Sequence, residues 1–461
     1  MRVIICGAGQ VGTTIARHLA TEGFSVTVID NDPEQVRRVD ESHDVRGVVG
    51  YASHPEALRK ANAQDADMLI AVTRSDEVNM AACQVAYSLF GVKRRIARLR
   101  HSGYLDQDKS GLYAAEHMPI DVVISPEIEI AKGITRRLAT PGAFDMVPMA
   151  SGQVELLGIH VEDSRIPIVK ERIGDLGKDE QFHGMSIVAL VRKGRCFVPD
   201  SQDRVTVGDD VYVLARRGEV DDVVTAFGHR ERVAKKLIIV GAGNVGLNLA
   251  KTVRRRSPLV DIKLIERDEA RAEHVAAELG GAVVVLHGDG LDRSLLDEAQ
   301  AASTDTLVAV TNDDETNIFA SVLAKQAGCK RAITLVNKRS YETVLPALGL
   351  NTVVSPSAVT ISTVLRHVRH SSVTALYTLR EDFGEVIEAE IPEGSRLLRR
   401  PLGQLGLPVG MKIGAVIREK EVVFPQPDMQ LQPGDTVIAL VTYSYLKLAE
   451  ALLGSTGIRN R

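Results

Sequence analysis

Short apolar runs alternate with segments of helical period along the first part of the chain. Residues 3–6 form one such run, a glycine-rich turn follows at residues 7–12, and apolar positions then recur every three to four residues. The runs consist mostly of Val, Ile and Leu, which is typical of strands in a parallel sheet covered on both faces. The pattern predicts a doubly wound parallel sheet of Rossmann type.

The same pattern returns later in the chain, starting with the run and glycine turn of residues 236–246. The match extends far beyond the turn. The segment SVTVIDND corresponds to DIKLIERD in the second copy, ADMLIAVTRSDEVN to TDTLVAVTNDDETN, and DVVISPE to NTVVSPS. A repeat of this length indicates two copies of one domain.

A different pattern follows each copy. Residues 145–230 and 373–455 contain short alternating runs broken by Gly and Asp, and each stretch has a turn (VGDDV or PGDTV) that leads into a strand. These stretches predict small α+β domains. We therefore predict an α/β chain of four domains, at residues 1–140, 145–230, 235–370 and 373–455.

Composition narrows the class of protein. The formal net charge is -4, so the chain has no excess of basic residues of the kind that would favour nucleic-acid binding. The four cysteines are scattered, without the spacing of a zinc site. No apolar run approaches the roughly 18 residues needed to cross a bilayer. We expect a soluble cytoplasmic chain without a metal site, so a membrane role would require a partner.

The two glycine turns are candidate nucleotide sites. In the G-x-G-x-x-G pattern the first glycine makes the turn, the second lets the backbone approach a diphosphate, and the third packs the helix on the strand. Asp30 and Glu266 end the next strand of each copy, where a carboxylate accepts ribose hydroxyls. This favours NAD over NADP, and ADP or ATP offers the same ribose. The structural alternative for Asp30 is an N-cap of the following helix.

Further candidates lie at the ends of later strands. Thr73 and Arg74 follow the fourth strand, with Thr311 at the matching place of the second copy. Arg98 is either a phosphate ligand or a surface arginine, and Leu335 stands at its aligned position. The two sites are therefore expected to bind differently.

Groups for catalysis are not evident in the sequence. The histidines are dispersed, and neither glycine turn is followed by a P-loop lysine. Tyr443 and Lys447 have the spacing of a short-chain dehydrogenase pair, but they lie in the last small domain and are read as ordinary helix residues. Binding without turnover is favoured. An NAD-dependent oxidoreductase with a duplicated Rossmann fold is the alternative.

The order of domains and the segments CGAGQVG, VIDND, AVTRSDEVN, VGDDVYVLA and PGDTVIALV resemble the TrkA family over essentially the whole chain. Members of this family consist of tandem RCK (also called KTN) units, each a Rossmann part followed by a small C-terminal part.

The resemblance implies a non-enzymatic regulatory subunit, peripheral on the cytoplasmic face of the inner membrane. It implies a ring, a homotetramer, that binds NAD(H) or ATP/ADP and gates a potassium translocator of TrkH or TrkG type. An RCK regulator of another channel or antiporter is the alternative within the same fold. The cofactor-binding residues carried over are Gly7, Ala8, Gly9, Gln10, Val11, Asp30, Thr73, Arg74, Arg98, Gly241, Ala242, Gly243, Asn244, Val245, Glu266 and Thr311.

Overall fold

The chain divides into two compact units. The first holds residues 1–132, 238–349 and 354–368, and the second holds 133–237, 350–353 and 369–461. The predicted domain ends at residues 370 and 455 lie outside the described residues. The computed structural model describes residues 1–42, 44–105, 111–179, 182–230, 233–342, 344–368, 373–380 and 383–453.

The first unit begins with a six-stranded parallel sheet in the order β3-β2-β1-β4-β5-β6. Its central strands are buried on both faces, as their unbroken apolar runs require. The chain order reverses between β1 and β4, which creates a crevice at the carboxyl ends of the strands. The strands are β1 (Arg2–Cys6), β2 (Ser25–Asp30), β3 (Arg46–Val49), β4 (Met68–Ala71), β5 (Arg94–Arg98) and β6 (Val122–Ile124).

Helices α1 to α4 connect successive strands from β1 to β5, and α5 follows β6. Ser75 caps α4 by accepting a hydrogen bond from the Val78 N–H, and Gly91 ends α4 in the left-handed conformation. The helices are α1 (Gln10–Thr21), α2 (Pro33–Ser42), α3 (Pro55–Lys60), α4 (Asp76–Phe90) and α5 (Pro126–Ala139).

The second copy repeats this sheet, in the order β14-β13-β12-β15-β16-β17. Its strands are β12 (Lys236–Val240), β13 (Asp261–Glu266), β14 (Val284–His287), β15 (Thr306–Ala309), β16 (Arg331–Leu335) and β17 (Thr352–Val354). Its helices are α7 (Asn244–Arg256), α8 (Glu269–Leu279), α9 (Arg293–Glu298), α10 (Asp314–Ala327), α11 (Arg339–Glu342) and α12 (Pro356–Val368).

Helix α12 ties the second copy to the first. Its Ile361, Val364 and Leu365 are buried in one apolar cluster with Ile15 and Leu19 of α1. The two Rossmann copies of the first unit therefore share a core, and the carboxyl end of one sheet is held in a fixed relation to the other.

The second unit contains two five-stranded antiparallel sheets with matching orders, β10-β9-β11-β8-β7 and β18-β19-β22-β20-β21. Each sheet has a buried Asp held by an arginine, Asp209 by Arg192 and Asp435 by Arg418. The elements are β7 (Ala143–Met149), β8 (Val154–His160), β9 (Met185–Arg192), β10 (Arg195–Phe197), β11 (Asp210–Arg216), α6 (Val220–Ala226), β18 (Val373–Arg380), β19 (Gly384–Glu390), β20 (Met411–Arg418), β21 (Glu421–Val423), β22 (Thr436–Thr442) and α13 (Leu446–Leu453).

One face of each small sheet contributes to a common apolar cluster that includes Leu156, Leu214, Val386 and Leu440. The fold class predicted from the sequence is confirmed: two Rossmann-type parallel sheets alternate along the chain with two small α+β parts. Among the described helices, none has the length and apolarity to cross a bilayer.

Candidate functional site

The glycine turns have the geometry that the motif requires. Gly7 and Gly241 adopt φ values of +113° and +102°, which side-chain-bearing residues rarely adopt. A Cβ on Gly12 would collide with the carbonyl oxygen of Gly7, and the matching Gly246 is crowded in the same way. The first and third glycines therefore set the path of the chain.

The second glycine of each turn faces open space. A Cβ built on Gly9 or Gly243 would meet nothing within 4 Å. These glycines are also the N-cap positions of α1 and α7, where no side chain accepts a hydrogen bond and the first turn carries no acidic residue. Helix N–H groups without side-chain acceptors, beside open space, suit the phosphates of a nucleotide.

The carboxylates at the ends of β2 and β13 are hydrogen-bonded to the turns. Asp30 accepts from the Ala8 N–H at 2.6 Å and from the Asp32 N–H at 2.9 Å. Glu266 accepts from the Ala242 N–H at 2.8 Å in the second copy. The Asp30 carboxylate thus joins the turn and does not cap α2, and each of its oxygens retains a further lone pair for a ribose hydroxyl.

Thr73 and Thr311, just beyond β4 and β15, are each held by a buried asparagine. The Asn79 amide accepts from the N–H and hydroxyl of Thr73 at 2.9 and 2.7 Å and donates to the Arg98 carbonyl at 2.8 Å. Asn317 accepts from both donors of Thr311 at 2.8 Å. Each asparagine fixes one strand end to its neighbour along the floor of the crevice.

Buried acids hold the loops after β5 and β16. Asp76 accepts from the backbone N–H groups of Arg100 and His101 at 2.9 and 2.8 Å. Asp314 accepts from the N–H of Asn337 in the same way, at 2.9 Å. The loop that borders each crevice is therefore fixed to the start of α4 or α10.

Three charged side chains meet beside the first crevice, and we name Arg98, Arg100 and Glu127 the charged cluster. Arg98 Nε, Arg100 Nε and Glu127 Oε2 are buried and lack hydrogen-bond partners within the described chain. Burial and the neighbouring Arg100 lower the pKa of Arg98 to about 10. Burial raises the pKa of Glu127 above its usual value. Buried N–H groups without a protein partner can donate to an anionic ligand that reaches them.

The second copy has uncharged residues at the positions of the charged cluster. Leu335 takes the place of Arg98 and is 4% exposed, Asn337 takes the place of Arg100, and Ser357 takes that of Glu127. The charge difference between the two copies, which the sequence indicates at Arg98, therefore extends to the positions of Arg100 and Glu127.

The two crevices face each other within the first unit. Gln10 Nε2 lies 3.5 Å from both the Asn337 carbonyl oxygen and Ser357 Oγ of the second copy. Asn244 Nδ2 donates to the Arg100 carbonyl of the first copy at 3.2 Å. The residue that opens each helix after the turn thus contacts the loop bordering the other crevice.

The remaining predicted residues are less constrained. Val11 and Val245 are half-buried on the first helical turns, and Arg74 is exposed beyond β4. The pair Tyr443 and Lys447 lies in the second unit, whereas both glycine turns lie in the first.

The described residues offer little for covalent or metal chemistry. They contain no group of three or more His, Cys, Asp or Glu side chains arranged to hold a metal ion. Cys6 and Cys83 are buried beneath the first crevice, and burial raises the pKa of the Cys83 thiol to about 12. A thiol with so high a pKa is a poor nucleophile.

Sequence reasoning missed Asn79, Asn317, Arg100 and Glu127. A signal existed for the two asparagines, because both copies end the strand-to-helix segment with Asn in DEVN and DETN. Arg100 and Glu127 come from separate elements that only the folded chain brings together.

Two protein-family models match the chain. The model of the TrkA-N domain matches residues 3–126 and 237–356, and the model of the TrkA-C domain matches residues 386–454. These ranges cover the two Rossmann copies and the second small part.

Curated relatives match nearly end to end. The chain is 42% identical to the Trk system potassium uptake protein TrkA of Azorhizobium caulinodans, covering 98% of both chains. It is 37% identical to the protein of the same name from Halomonas elongata, covering 96% of both.

Solved structures share the fold. The crystal structure of the GsuK RCK domain superposes with a TM-score of 0.60 at 19% identity, covering 98% of this chain and 94% of that one. The GsuK channel bound to NAD gives 0.59 at 20% identity, covering 98% and 78%.

Proposed function

The chain belongs to the TrkA family of Trk system potassium uptake proteins, and from this premise we propose that it is a nucleotide-binding regulatory subunit of a potassium uptake system. The relatives carry this name over nearly the whole chain. Because the match extends over all four parts of the chain, the proposal applies to the four parts together and not to a single domain.

NAD(H) or an adenine nucleotide is the proposed ligand of each crevice. The observation that carries this proposal is the open space at Gly9 and Gly243, beside helix ends that no side chain caps. The turns would hold the diphosphate through backbone N–H groups, and Asp30 or Glu266 would accept the ribose hydroxyls. A bound nucleotide would supply phosphate charge to the crevice.

The two crevices are proposed to bind unequally. In the first, Arg98 and Arg100 have buried Nε groups to offer a phosphate, and in the second Leu335 and Asn337 offer no charge. Charge-assisted hydrogen bonds are worth about 1.5–3 kcal/mol, so the first crevice is expected to bind anionic ligands more tightly.

Regulation follows if the ligand binds two arrangements of the Rossmann copies with different affinity. Gln10 and Asn244 each contact the loop that borders the opposite crevice, so a ligand bound in either crevice would lie beside the contact between the copies. The Arg100 carbonyl accepts a hydrogen bond from the Asn244 side chain of the other copy. A ligand that binds Arg98 or Arg100 would shift this loop and so alter the contact between the copies.

Assembly and location are part of the same proposal. We infer a homotetrameric ring that meets a membrane translocator subunit of TrkH or TrkG type on the cytoplasmic face of the membrane. We further infer domain limits at 1–140, 145–230, 235–370 and 373–455, and a role without turnover.

The test measures nucleotide binding and potassium flux together. Asp30→Ala and Glu266→Ala chains are titrated with NADH and ADP and then assayed for nucleotide-controlled potassium flux in vesicles containing the translocator. Loss of binding should be accompanied by loss of nucleotide control. Loss of nucleotide binding with unchanged nucleotide control of potassium flux would contradict the regulatory proposal. Oxidation of NADH in the presence of a panel of metabolites would favour the oxidoreductase alternative.

A further inference from the structure

The two Rossmann copies differ in the residues that follow their third strands. Tyr51 follows β3 and is 56% exposed, and its ring centroid lies 5.1 Å from that of His54, with the ring planes tilted by 37°. We name Tyr51 and His54 the ring pair. The second copy has Asp289 and Asp292 at the matching positions. One copy therefore presents two aromatic rings where the other presents two carboxylates.

The local structure does not require the ring pair. In the second copy Asp292 caps α9, because its carboxylate accepts a hydrogen bond from the Ser294 N–H at 2.9 Å. His54 occupies the same N-cap position before α3, where its side chain accepts no such hydrogen bond. An acceptor at this position would stabilise the helix. Tyr51 remains more than half exposed, so its ring contributes little to the core.

The ring pair begins directly beside the end of the strand that carries Asp30. Strand β3 runs parallel to β2 with Val49 opposite Asp30, and the Gly50 N–H donates to the Asp30 carbonyl oxygen at 2.9 Å. Tyr51 is the next residue along the chain, and its carbonyl oxygen accepts from the His54 N–H at 2.9 Å. Neighbouring strands are about 4.8 Å apart, so this turn borders the first crevice on its β3 side.

The order of the strands sets the order in which the parts of a nucleotide would lie. The sheet order β3-β2-β1 places the glycine turn, Asp30 and the ring pair at the ends of three successive strands. In a nucleotide, the base and the 5′ phosphates leave the ribose on opposite sides. With phosphates at the turn and ribose hydroxyls at Asp30, the base would extend toward the end of β3.

We propose that Tyr51 is the base-stacking residue of the first crevice, and that this crevice therefore accepts purine nucleotides whatever exocyclic group the base carries. The inference rests on the proposed function, because it assigns the residue that holds one more part of the same ligand. Stacking on an aromatic ring tolerates different bases, since every base has a π face. The contact with His54 restrains the Tyr51 ring, which lowers the entropic cost of ordering it against a base.

The second crevice offers a different group at the same place. The Asp289 carboxylate accepts from the Leu291 N–H at 2.9 Å and retains lone pairs that can accept from an exocyclic amine such as that of adenine. Hypoxanthine carries a carbonyl oxygen in place of this amine and has no such donor to offer. The two crevices are therefore expected to differ in their selectivity for the base.

The first test measures base selectivity in each crevice separately. The full chain carrying Glu266→Ala retains the first crevice, and the chain carrying Asp30→Ala retains the second. Each is titrated calorimetrically with ADP and with IDP, which carries hypoxanthine. The two dissociation constants should agree within about threefold in the Glu266→Ala chain, because stacking does not distinguish the bases. In the Asp30→Ala chain IDP should bind at least about tenfold more weakly, because a hydrogen bond to a charged group is lost.

Substitution of Tyr51 in the Glu266→Ala chain tests the stacking itself. Tyr51→Asp should raise the dissociation constant for ADP at least about tenfold, which corresponds to roughly 1.4 kcal/mol. Tyr51→Phe keeps the π face and should stay within about threefold of its parent. Tyr445→Asp is the matched control, because Tyr445 is an exposed tyrosine of the second unit. Thermal unfolding of each variant reports on folding.

A fluorescent nucleotide tests the same contact without a change at Tyr51. The emission of etheno-ADP is quenched when its base stacks on an aromatic ring, so binding to the Glu266→Ala chain should quench it and binding to the Asp30→Ala chain should not. Unquenched emission in the Glu266→Ala chain, an unchanged affinity of Tyr51→Asp for ADP, or a tenfold preference of the first crevice for ADP over IDP would each overturn the inference. Absence of ADP and NADH binding in the wild type would instead contradict the proposed function.

Discussion

The two crevices of the first unit share their backbone framework and differ in the charge of the residues beside it. The turn, the carboxylate that ends the second strand and the threonine–asparagine pair make the same hydrogen bonds in both copies, from Gly7 and Gly241 to Asn79 and Asn317. The charged cluster, in contrast, has only uncharged counterparts.

Comparing the copies distinguishes the residues that the fold requires, which both copies have, from those that a ligand would contact, which differ. Buried hydrogen bonds that close a strand end are required in both copies, because an unpaired buried group costs about 1–3 kcal/mol. The Nε atoms of Arg98 and Arg100 are buried without a hydrogen-bond partner in the described chain, and Arg100 Nε lies 3.9 Å from Glu127 Oε1, so neither Nε closes a strand end as the asparagines do. A phosphate in the first crevice is the partner that we propose for them.

The largest effect is expected from removing the ribose-side carboxylates. Asp30→Ala should weaken nucleotide binding at the first crevice about a hundredfold, because the ligand loses two charge-assisted hydrogen bonds and the turn loses its acceptor. Glu266→Ala should do the same at the second. In calorimetric titrations, each variant should lack a different class of nucleotide site. Loss of the same class in both variants would contradict the assignment of one carboxylate to each crevice.

A second pair of substitutions tests the shared frame. Asn79→Ala and Asn317→Ala should each destabilise the fold by about 2–3 kcal/mol, because each leaves buried N–H and carbonyl groups unpaired. The two losses, measured by thermal unfolding, should be nearly equal. A large loss in only one copy would show that the frames are not equivalent.

An exchange of residues between copies tests the difference itself. Arg98→Leu with Arg100→Asn gives the first crevice the residues of the second, which the same fold already accommodates there. The affinity of the first crevice for ADP should fall at least about tenfold, because each arginine that donates to a phosphate contributes a charge-assisted hydrogen bond of about 1.5–3 kcal/mol. Fluorescence titration checks this, with Arg59→Asn, a change at an exposed arginine of α3 that is not among the predicted binding residues, as control. An equal fall in the control would contradict a specific role.

The smallest effect concerns pH. Burial raises the pKa of Glu127 above 4.5, so the folded chain binds this proton more readily than the unfolded chain does. Its contribution to stability is therefore present below pH 4.5 and is lost as pH rises through the folded-state value. Glu127→Gln should lose less stability across this range, and at neutral pH it should be at least as stable. A less stable glutamine variant at neutral pH would show that the arginines outweigh burial.

The frame was predictable from sequence because its residues are local and repeated. The strand, the glycines and the acid that ends the next strand lie within one short segment, and each copy supports the interpretation of the other. Asn79 was equally visible in the repeat, but an asparagine on a helix has no obvious chemistry until its amide is seen to bridge two strand ends.

The charged cluster was only partly predictable. Arg98 ends a strand and was found from its position, whereas Glu127 begins α5 after a separate strand and Arg100 lies on the connecting loop. Their proximity depends on the packing of elements far apart in the chain. The approach of Gln10 to Ser357 depends on the docking of one copy on the other, which no local pattern encodes.

The most direct test of the central claim is a calorimetric titration of the full chain with NADH and with ADP, repeated on the chain carrying Arg98→Leu, Arg100→Asn and Glu127→Ser. The account predicts two classes of site of unequal affinity in the wild type and their convergence toward one class in the exchanged chain. Absence of binding, or an unchanged difference between the classes after the exchange, would contradict it.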